Sequence, residues 1–271
     1  MMSIIPDYHV HTEFSGDCNT PAEELVSRAI ELGLKEVIFT DHVDFDYPSN
    51  KILFEINFEE YIKKIESLRD YYKKINILMG IEIGYQPHLP HLNDKYNKLL
   101  NAYPFDFVIC SMHAFEGVEL DKGDLFRENS QQEGYKIYWE NLKKTVENFD
   151  NCDVYGHLDF VVRYGNFKNK VLRYEDYKDI IDEILTIIIS KGKGIELNTS
   201  GLRYKLNSMH PNRQILKRYY ELGGRIITVG SDAHVAKDFC ADFNKAIKEL
   251  KEIGFKEVTT FKNRKPSFIK I

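Results

Sequence analysis

Histidine and carboxylate side chains recur where apolar stretches of this 271-residue chain end. Six of its nine histidines lie at such places, together with three acidic residues. Neutral imidazole and carboxylate are the ligands that divalent cations such as Zn²⁺, Mn²⁺ and Fe²⁺ accept in proteins. The pattern predicts a site for several metal ions, with the candidate ligands His9, His11, Asp17, His42, Glu82, His113, His157, Asp232 and His234.

The segment Asp7-Tyr8-His9-Val10-His11-Thr12 is the strongest local signal. Alternate side chains of a strand share a face, so His9 and His11 would lie side by side while Val10 points away. Taken alone, this pair also fits two surface histidines on an edge strand, and each further motif also fits a hydrogen-bonded structural residue. Their recurrence at strand ends favours a metal cluster. The further motifs are Thr40-Asp41-His42, Gly80-Ile81-Glu82, Ser111-Met112-His113, Tyr155-Gly156-His157 and Gly230-Ser231-Asp232-Ala233-His234.

Seven short apolar segments are predicted to form buried parallel strands with helices between them. The first helix is predicted to have Thr20 as its N-cap, Pro21 as its first residue, Glu23 in a capping box and Gly33 as its stop. A second helix is predicted to open at Asn57-Phe58-Glu59-Glu60. The strands are predicted at 3–11, 36–42, 75–85, 105–113, 152–159, 194–201 and 225–234, and the later helices near 90–101, 130–149, 174–191, 212–222 and 236–253.

Seven alternating units without a linker or low-complexity stretch favour one closed or nearly closed α/β barrel, a single domain over 1–271, rather than two domains. The rival is a doubly wound open sheet. An open sheet would spread the strand ends along a line, whereas a barrel gathers them around the mouth at the carboxyl ends of its strands. The candidate ligands come from six of the seven strands, which favours the barrel. The tail, residues 257–271, is expected to close the structure.

Composition limits the classes of partner and the cellular location. A net charge of −5 and a pI near 6.0 argue against broad binding to nucleic acid or to an anionic membrane. No signal peptide and no apolar run of about 20 residues is recognisable, so a cytoplasmic protein is expected. The scattered cysteines fit reduced thiols better than a disulfide framework, although two of them lie near candidate ligands. The four cysteines are Cys18, Cys110, Cys152 and Cys240, and the first two are those near candidate ligands.

Together these motifs resemble the PHP (polymerase and histidinol phosphatase) superfamily. The resemblance rests on H-x-H-T, T-D-H, G-x-E, S-x-H, G-H-L-D and G-S-D-A-H in strand order, and it covers nearly the whole chain. The chain length, the Gly156-His157-Leu158-Asp159 motif and the segment 196–203 are most similar to the monofunctional histidinol-phosphate phosphatases.

The resemblance implies a distorted (β/α)7 TIM-like barrel with three divalent ions, Zn, Mn or Fe, at the mouth. Many relatives have histidine where this chain has Asp17, so the third ion would be held more weakly or would be a harder cation. Asp17 could instead be a loop or cap residue. The implied ligands are His9, His11, Glu82 and Asp232 for one ion, Glu82 as a bridge with His113 and His157 for a second, and Asp17, His42 and His234 for the third.

Two cations about 3.5–4 Å apart can bridge a water, lower its pKa and present hydroxide in line with a phosphorus atom. Arg163 and Arg203, which follow strand ends, are the candidates for binding the phosphate oxygens, or else are solvated surface residues. Asp232 could orient the hydroxide. A metal-bound water, His42 or His234 could assist departure of the alcohol.

The substrate implied by the resemblance is L-histidinol phosphate, an intermediate of histidine biosynthesis. Its amine and imidazole need acidic or aromatic neighbours, for which Phe14, Tyr47, Phe115 and Glu116 are candidates because they follow strand ends. Three further histidines, His88, His91 and His210, are expected to be structural. The alternatives are a phosphoesterase acting on another small metabolite, on phosphotyrosine or on nucleic acid, and a non-catalytic metal-binding barrel. The sequence leaves the oligomeric state open.

Overall fold

The computed structural model describes residues 5–49 and 51–271. Its α-helices are α1 Ala22–Glu31, α2 Phe58–Tyr71, α3 Leu92–Ala102, α4 Gln131–Asn148, α5 Lys178–Ser190, α6 Ser200–Arg203, α7 Arg213–Glu221 and α8 Phe243–Ile253. Its strands are β1 Glu36–Phe39, β2 His42–Val43, β3 Asn76–Gly84, β4 Phe107–Ser111, β5 Ala114–Phe115, β6 Val118–Glu119, β7 Val154–Tyr155, β8 Gly194–Asn198, β9 Ile227–Gly230, β10 Glu257–Lys262 and β11 Lys265–Lys270. Short 3₁₀ helices lie at Leu120–Lys122, Asp124–Phe126, Phe160–Arg163, Tyr174–Tyr177 and Ala236–Asp238.

Seven of these strands form one curled parallel sheet. Its order is β1-β3-β4-β7-β8-β9, and β2 pairs with the end of β3, where His42 lies opposite Glu82. The strands are almost wholly buried, because the helices that connect successive strands along the chain cover the sheet. The predicted alternation of strands and helices is confirmed, and the predicted second strand is divided into β1 and β2.

The predicted first strand is wrong as a regular element, and its residues 3 and 4 lie outside the described part of the chain. Val10 forms an isolated parallel bridge to Ala233. On the other side, the Thr40 amide donates to the Val10 carbonyl at 2.8 Å, so this segment lies between the ends of β9 and β1. The Asp7 carboxylate interrupts the regular strand. It accepts from the amides of His9 and Ser231, and in a regular ladder these amides would donate to backbone carbonyls instead.

The start of α1 also differs from the prediction. Thr20 does not cap the helix, because its hydroxyl donates to the His234 carbonyl at 2.7 Å. The Glu13 carboxylate accepts instead from the amide of Ala22, the first helical residue, at 2.6 Å. At α2 the prediction is confirmed, since the Asn57 side chain accepts from the Glu60 amide.

The chain tail forms an antiparallel hairpin of β10 and β11 over the starts of the parallel strands. The Phe261 ring lies 5.1 Å from that of Phe107 at the start of β4, and the Phe261 amide donates to the Tyr8 hydroxyl. Arg264 forms an ion pair with Asp153, just before β7. The hairpin therefore closes the end of the sheet opposite the strand ends that carry the histidines, as the sequence predicted.

Two further features of the described residues bear on the sequence predictions. All four cysteines are free thiols, three of them buried. No helix in this part of the chain has both the length and the apolar character needed to cross a membrane.

Candidate metal centre

The first group of candidate ligands consists of His9, His11, Glu82 and Asp232. The Nε2 atom of His9 lies 3.0 Å from Glu82 Oε2 and 3.9 Å from Asp232 Oδ1. The Nε2 atom of His11 lies 3.6 Å and 3.5 Å from the same two oxygens. Tetrahedral zinc with bonds of about 2.0–2.1 Å has neighbouring ligand atoms about 3.3 Å apart. These four side chains therefore have a spacing that fits one cation.

A second group surrounds the other oxygen of the same carboxylate. Glu82 Oε1 lies 3.1 Å from His157 Nε2 and 3.4 Å from His113 Nε2, and it accepts from the Ser111 hydroxyl. The two oxygens of Glu82 thus face different groups of imidazoles. This arrangement is what a carboxylate that bridges two cations requires.

Asp17 lies beside the third group. Its Oδ2 atom is 3.3 Å from His234 Nε2 and 3.8 Å from His42 Nε2. The imidazole nitrogens of His42, His234 and His11 also lie close enough together to hold one ion. Asp17 and His234 have about a third of their side-chain surface exposed, so this group is the most accessible to solvent of the three.

Outer partners hold several of these rings in place. Glu196 Oε1 lies 2.7 Å from His9 Nδ1, and Asp44 Oδ2 lies 2.7 Å from His113 Nδ1. In metalloproteins a ligating histidine commonly donates its second ring N–H to such a carboxylate. Neither acid was predicted from the sequence, although Asp44 follows His42 at the spacing of two that puts both on one side of an extended chain.

Several inward-facing atoms lack hydrogen-bond partners among the described residues. They are buried and polar, and such atoms are costly to leave unpaired. A bound cation would satisfy each of them, so the donor set fits a metal centre. The atoms are His9 Nε2, His11 Nε2, His42 Nδ1 and Glu82 Oε2.

The pKa values of the two central carboxylates agree with a cation site. Burial would raise the pKa of Glu82, but the neighbouring imidazoles, His9 foremost, hold it well below its usual range. Burial opposes ionisation of Asp232 too, yet the imidazoles of His11 and His9 beside it hold its pKa well below normal. Both carboxylates are therefore charged at neutral pH.

A pocket of about 340 Å³ opens beside these groups, and Arg163 is part of its wall. The guanidinium lies between the rings of Phe160 and Tyr204, with its carbon 4.7 Å and 4.0 Å from the ring centres. It also donates to Ser200 Oγ. A guanidinium fixed in this way beside a cation site can bind an anion without first being ordered.

Among the other predicted substrate contacts, only Tyr47 lines this pocket, where its hydroxyl donates to Asp121 at 3.0 Å. Phe14 packs on the Tyr61 ring, and Phe115 is buried in the core. The backbone amide of Glu116 donates to His88 Nδ1 at 3.1 Å. These three residues are not among those that line the pocket, so their substrate roles stay predictions; a loop position after a strand does not fix where a side chain points.

Arg203 lies behind the pocket wall. It donates from Nη2 to the carbonyls of Ser231 and Asp232, and its Nε lies 3.5 Å from Asp238. Of the histidines expected to be structural, His210 pairs with Asp159 and His91 precedes α3. Neither is a candidate ligand.

Known proteins are similar to this chain over most of its length. Residues 7–200 match the PHP domain family. The chain is 34% identical to the histidinol-phosphatase of Lactococcus lactis subsp. lactis (strain IL1403), covering 96% of this chain and 95% of that protein. It is 32% identical to a probable histidinol-phosphatase of Clostridium acetobutylicum, covering 93% of this chain and 95% of that protein.

A solved structure is similar over nearly the whole fold. It is histidinol phosphate phosphatase from Lactococcus lactis, complexed with zinc, L-histidinol and phosphate. The TM-score is 0.89 at 33% identity, and the match covers 97% of this chain and 98% of that one. From the family match, the relatives and the motifs at the strand ends, the chain belongs to the PHP domain family.

Proposed function

We propose that this protein is a metal-dependent phosphatase that hydrolyses L-histidinol phosphate to L-histidinol and phosphate in histidine biosynthesis. The observation that carries the proposal is the convergence of eight candidate ligands, with Asp17 beside them, next to a pocket that also holds Arg163. The similar Lactococcus lactis enzyme has zinc, L-histidinol and phosphate bound, which supports the same substrate here.

Three divalent ions, Zn, Mn or Fe, are proposed for the three groups of ligands, with Glu82 shared by two of them. Cations held there would supply a hydroxide nucleophile at neutral pH and neutralise charge on the phosphoryl oxygens. Asp17 would be a ligand of the third ion, since its Oδ2 lies 3.3 Å from His234 Nε2. Because that group is the most exposed, its ion is expected to dissociate most readily.

Arg163 is proposed to bind the non-bridging oxygens of the phosphate. Asp232 keeps the guanidinium in position through its Oδ2, which lies 3.3 Å from Arg163 Nη2. The pocket also exposes His42 and His234, either of which could assist departure of the alcohol in protein that lacks the third ion. The substrate role of Arg203 stays a prediction, since it is not among the residues that line the pocket.

The organic part of the substrate carries an amine and an imidazole. Asp121 is the carboxylate, among the described residues lining the pocket, that contacts none of the candidate ligands. It pairs with Lys122 and not with the candidate metal ligands, and it is proposed to attract the cationic end of the substrate. Tyr47 would position Asp121 through its hydroxyl.

The fold is proposed to be a single distorted (β/α)7 barrel over residues 1–271, with the segment around Val10 in the place of the first strand. Its backbone hydrogen bonds on both sides support this closure. A cytoplasmic location also stays a prediction, which cell fractionation would test.

The test is phosphate release from L-histidinol phosphate before and after metal removal. Chelation should abolish turnover, and Zn²⁺ or Mn²⁺ should restore it. Full activity in a preparation shown by elemental analysis to be metal-free would contradict the proposal. A panel with phosphotyrosine, sugar phosphates and a nuclease substrate tests the alternatives, because faster turnover of any of these would reassign the substrate. No turnover of any ester by metal-loaded protein would favour a non-catalytic barrel.

A further inference from the structure

Ser15 and Asp41 form a buried hydrogen-bond chain that ends on the outer nitrogen of His11. We propose that this chain fixes the tautomer of His11, with the proton on Nδ1 and the lone pair of Nε2 directed into the first group of ligands. Ser15 and Asp41 are then positioning residues for the metal centre. The inference rests on the proposed role of His11 as a ligand, but it concerns a property that the protein has without metal.

The number of hydrogen bonds that the Ser15 hydroxyl can donate and accept fixes the direction of its bond with His11. Ser15 Oγ donates to Asp41 Oδ1 at 2.8 Å and accepts from the His42 amide at 3.0 Å. The same oxygen lies 2.9 Å from His11 Nδ1. A hydroxyl has one proton and two lone pairs. Because the proton goes to Asp41 and the His42 amide takes one lone pair, His11 can only donate to the other.

Asp41 is positioned so that the Ser15 hydroxyl proton stays directed at its carboxylate. Its Oδ1 also accepts from the Thr12 amide at 2.6 Å, and its Oδ2 accepts from the Thr12 hydroxyl at 2.9 Å. Asp41 thus accepts three hydrogen bonds and donates none, as an ionised carboxylate does. Asp41 and His11 are fully buried and Ser15 nearly so, so water does not compete for these atoms.

The opposite tautomer would place the proton on Nε2. The nearest carboxylate oxygens there are Asp232 Oδ1 at 3.5 Å and Glu82 Oε2 at 3.6 Å, both beyond ordinary hydrogen-bond range. The Ser15 contact is shorter and therefore favours the proton on Nδ1. A metal binds only an unprotonated imidazole nitrogen, so the chain prepares Nε2 for ligation.

The Nδ1 atom of His11 has a different kind of partner from that of the neighbouring histidines. His9 and His113 have a carboxylate directly against Nδ1, whereas His11 reaches its carboxylate through a hydroxyl. The intermediate hydroxyl also ties the backbone of His42, a second candidate ligand, to the same carboxylate. One buried acid therefore acts on ligands from two separate segments of the chain.

The test is nitrogen-15 NMR of the histidine rings in metal-free, isotope-labelled protein at pH 8, with the His11 signals identified by their loss in His11→Gln. The wild-type protein should show protonated Nδ1 and unprotonated Nε2. Ser15→Ala should move the proton toward Nε2 and weaken Zn²⁺ affinity, measured by competition with a chromophoric chelator, by about 10–100-fold. Wild-type protein with the proton on Nε2 would overturn the inference, whatever the enzyme's substrate.

Two control variants separate this role from others. Thr12→Val removes another hydroxyl that bonds Asp41 but leaves the Ser15 chain intact, so the His11 tautomer should persist. Asp41→Asn should also preserve it, because the Thr12 amide holds the new amide oxygen at the Oδ1 position, where it still accepts from Ser15. If Asp41→Asn weakened Zn²⁺ binding as much as Ser15→Ala while the tautomer stayed unchanged, charge rather than hydrogen-bond direction would be the cause and the inference would fail.

Discussion

Arg163 and Asp232 join the wall of the pocket to the candidate metal centre. Nη2 of Arg163 lies 3.3 Å from Asp232 Oδ2, while Oδ1 of the same carboxylate lies 3.5 Å from His11 Nε2. One side chain thus faces the candidate cation site with one oxygen and the guanidinium with the other. Both side chains are more than nine-tenths buried, which keeps their ion pair away from solvent screening.

Removing this guanidinium should impair catalysis without emptying the metal centre. We expect Arg163→Ala to lower kcat/KM for L-histidinol phosphate by about 100–1000-fold, the usual loss when one donor to a developing charge is removed. Metal content, measured by elemental analysis, should stay at the wild-type value. Arg203→Ala is the comparison and should cost less, because Arg203 bonds backbone carbonyls outside the pocket. Unchanged kinetics in both variants would refute the assignment of a phosphate-binding arginine.

Among the candidate ligands, loss of Glu82 should lower the metal content of the protein the most. Its two oxygens face two groups of imidazoles, so Glu82→Gln replaces a shared anion with a neutral amide of the same shape. We expect metal occupancy to fall at both groups and turnover to become undetectable. Glu196→Gln is the matched control, because Glu196 touches His9 from outside. It should only weaken metal binding, by about 10–100-fold. Equal occupancy in Glu82→Gln and wild-type protein would exclude a bridging role.

Asp121 should decide substrate choice rather than the rate of hydrolysis. Asp121→Asn removes a negative charge from the pocket while keeping an acceptor for the Tyr47 hydroxyl. We expect KM for L-histidinol phosphate to rise about tenfold, roughly one charged hydrogen bond at a partly exposed position, with little change for a phosphate ester that lacks an amine. Asp124→Asn, an acidic residue outside the pocket lining, should leave both KM values unchanged. A parallel loss with both esters would assign Asp121 to the phosphate end or to the fold.

The convergence of the strand-end candidate ligands could be predicted from sequence because parallel strands gather their carboxyl ends at one edge. His42 and Glu82 show this most directly, since they lie opposite each other in adjacent strands. Their relative position follows from strand register alone. No feature of their loops was needed to bring these two side chains together.

Side chains in loops could not be placed in the same way. Phe14 and Phe115 follow strand ends, yet Phe14 packs against the core and Phe115 is buried within it, which apolar burial favours. Thr20 has the residue type of a helix cap, but a tertiary hydrogen bond to His234 takes its hydroxyl. Glu196 was missed for a different reason, because a carboxylate in the middle of a buried strand has no local motif that reveals its partner.

Gly230 supplies the last test, because it gives Glu196 the room to reach His9. A Cβ at Gly230 would overlap both Glu196 Oε1 and the Cβ of His9. We expect Gly230→Ala to push the carboxylate off the imidazole, to lower the free energy of unfolding by about 1–3 kcal/mol and to weaken Zn²⁺ binding. Chemical denaturation of metal-free protein and chelator competition measure the two effects separately.

Gly192→Ala is the control for that variant. Gly192 has a φ of 67° and open space around its would-be Cβ, so alanine should cost about 1–2 kcal/mol through backbone strain alone. Both variants should therefore be less stable, but only Gly230→Ala should bind Zn²⁺ more weakly. If Gly192→Ala lost Zn²⁺ affinity to the same degree, general destabilisation would explain both results and the contact between Glu196 and His9 would have no special role in holding the metal.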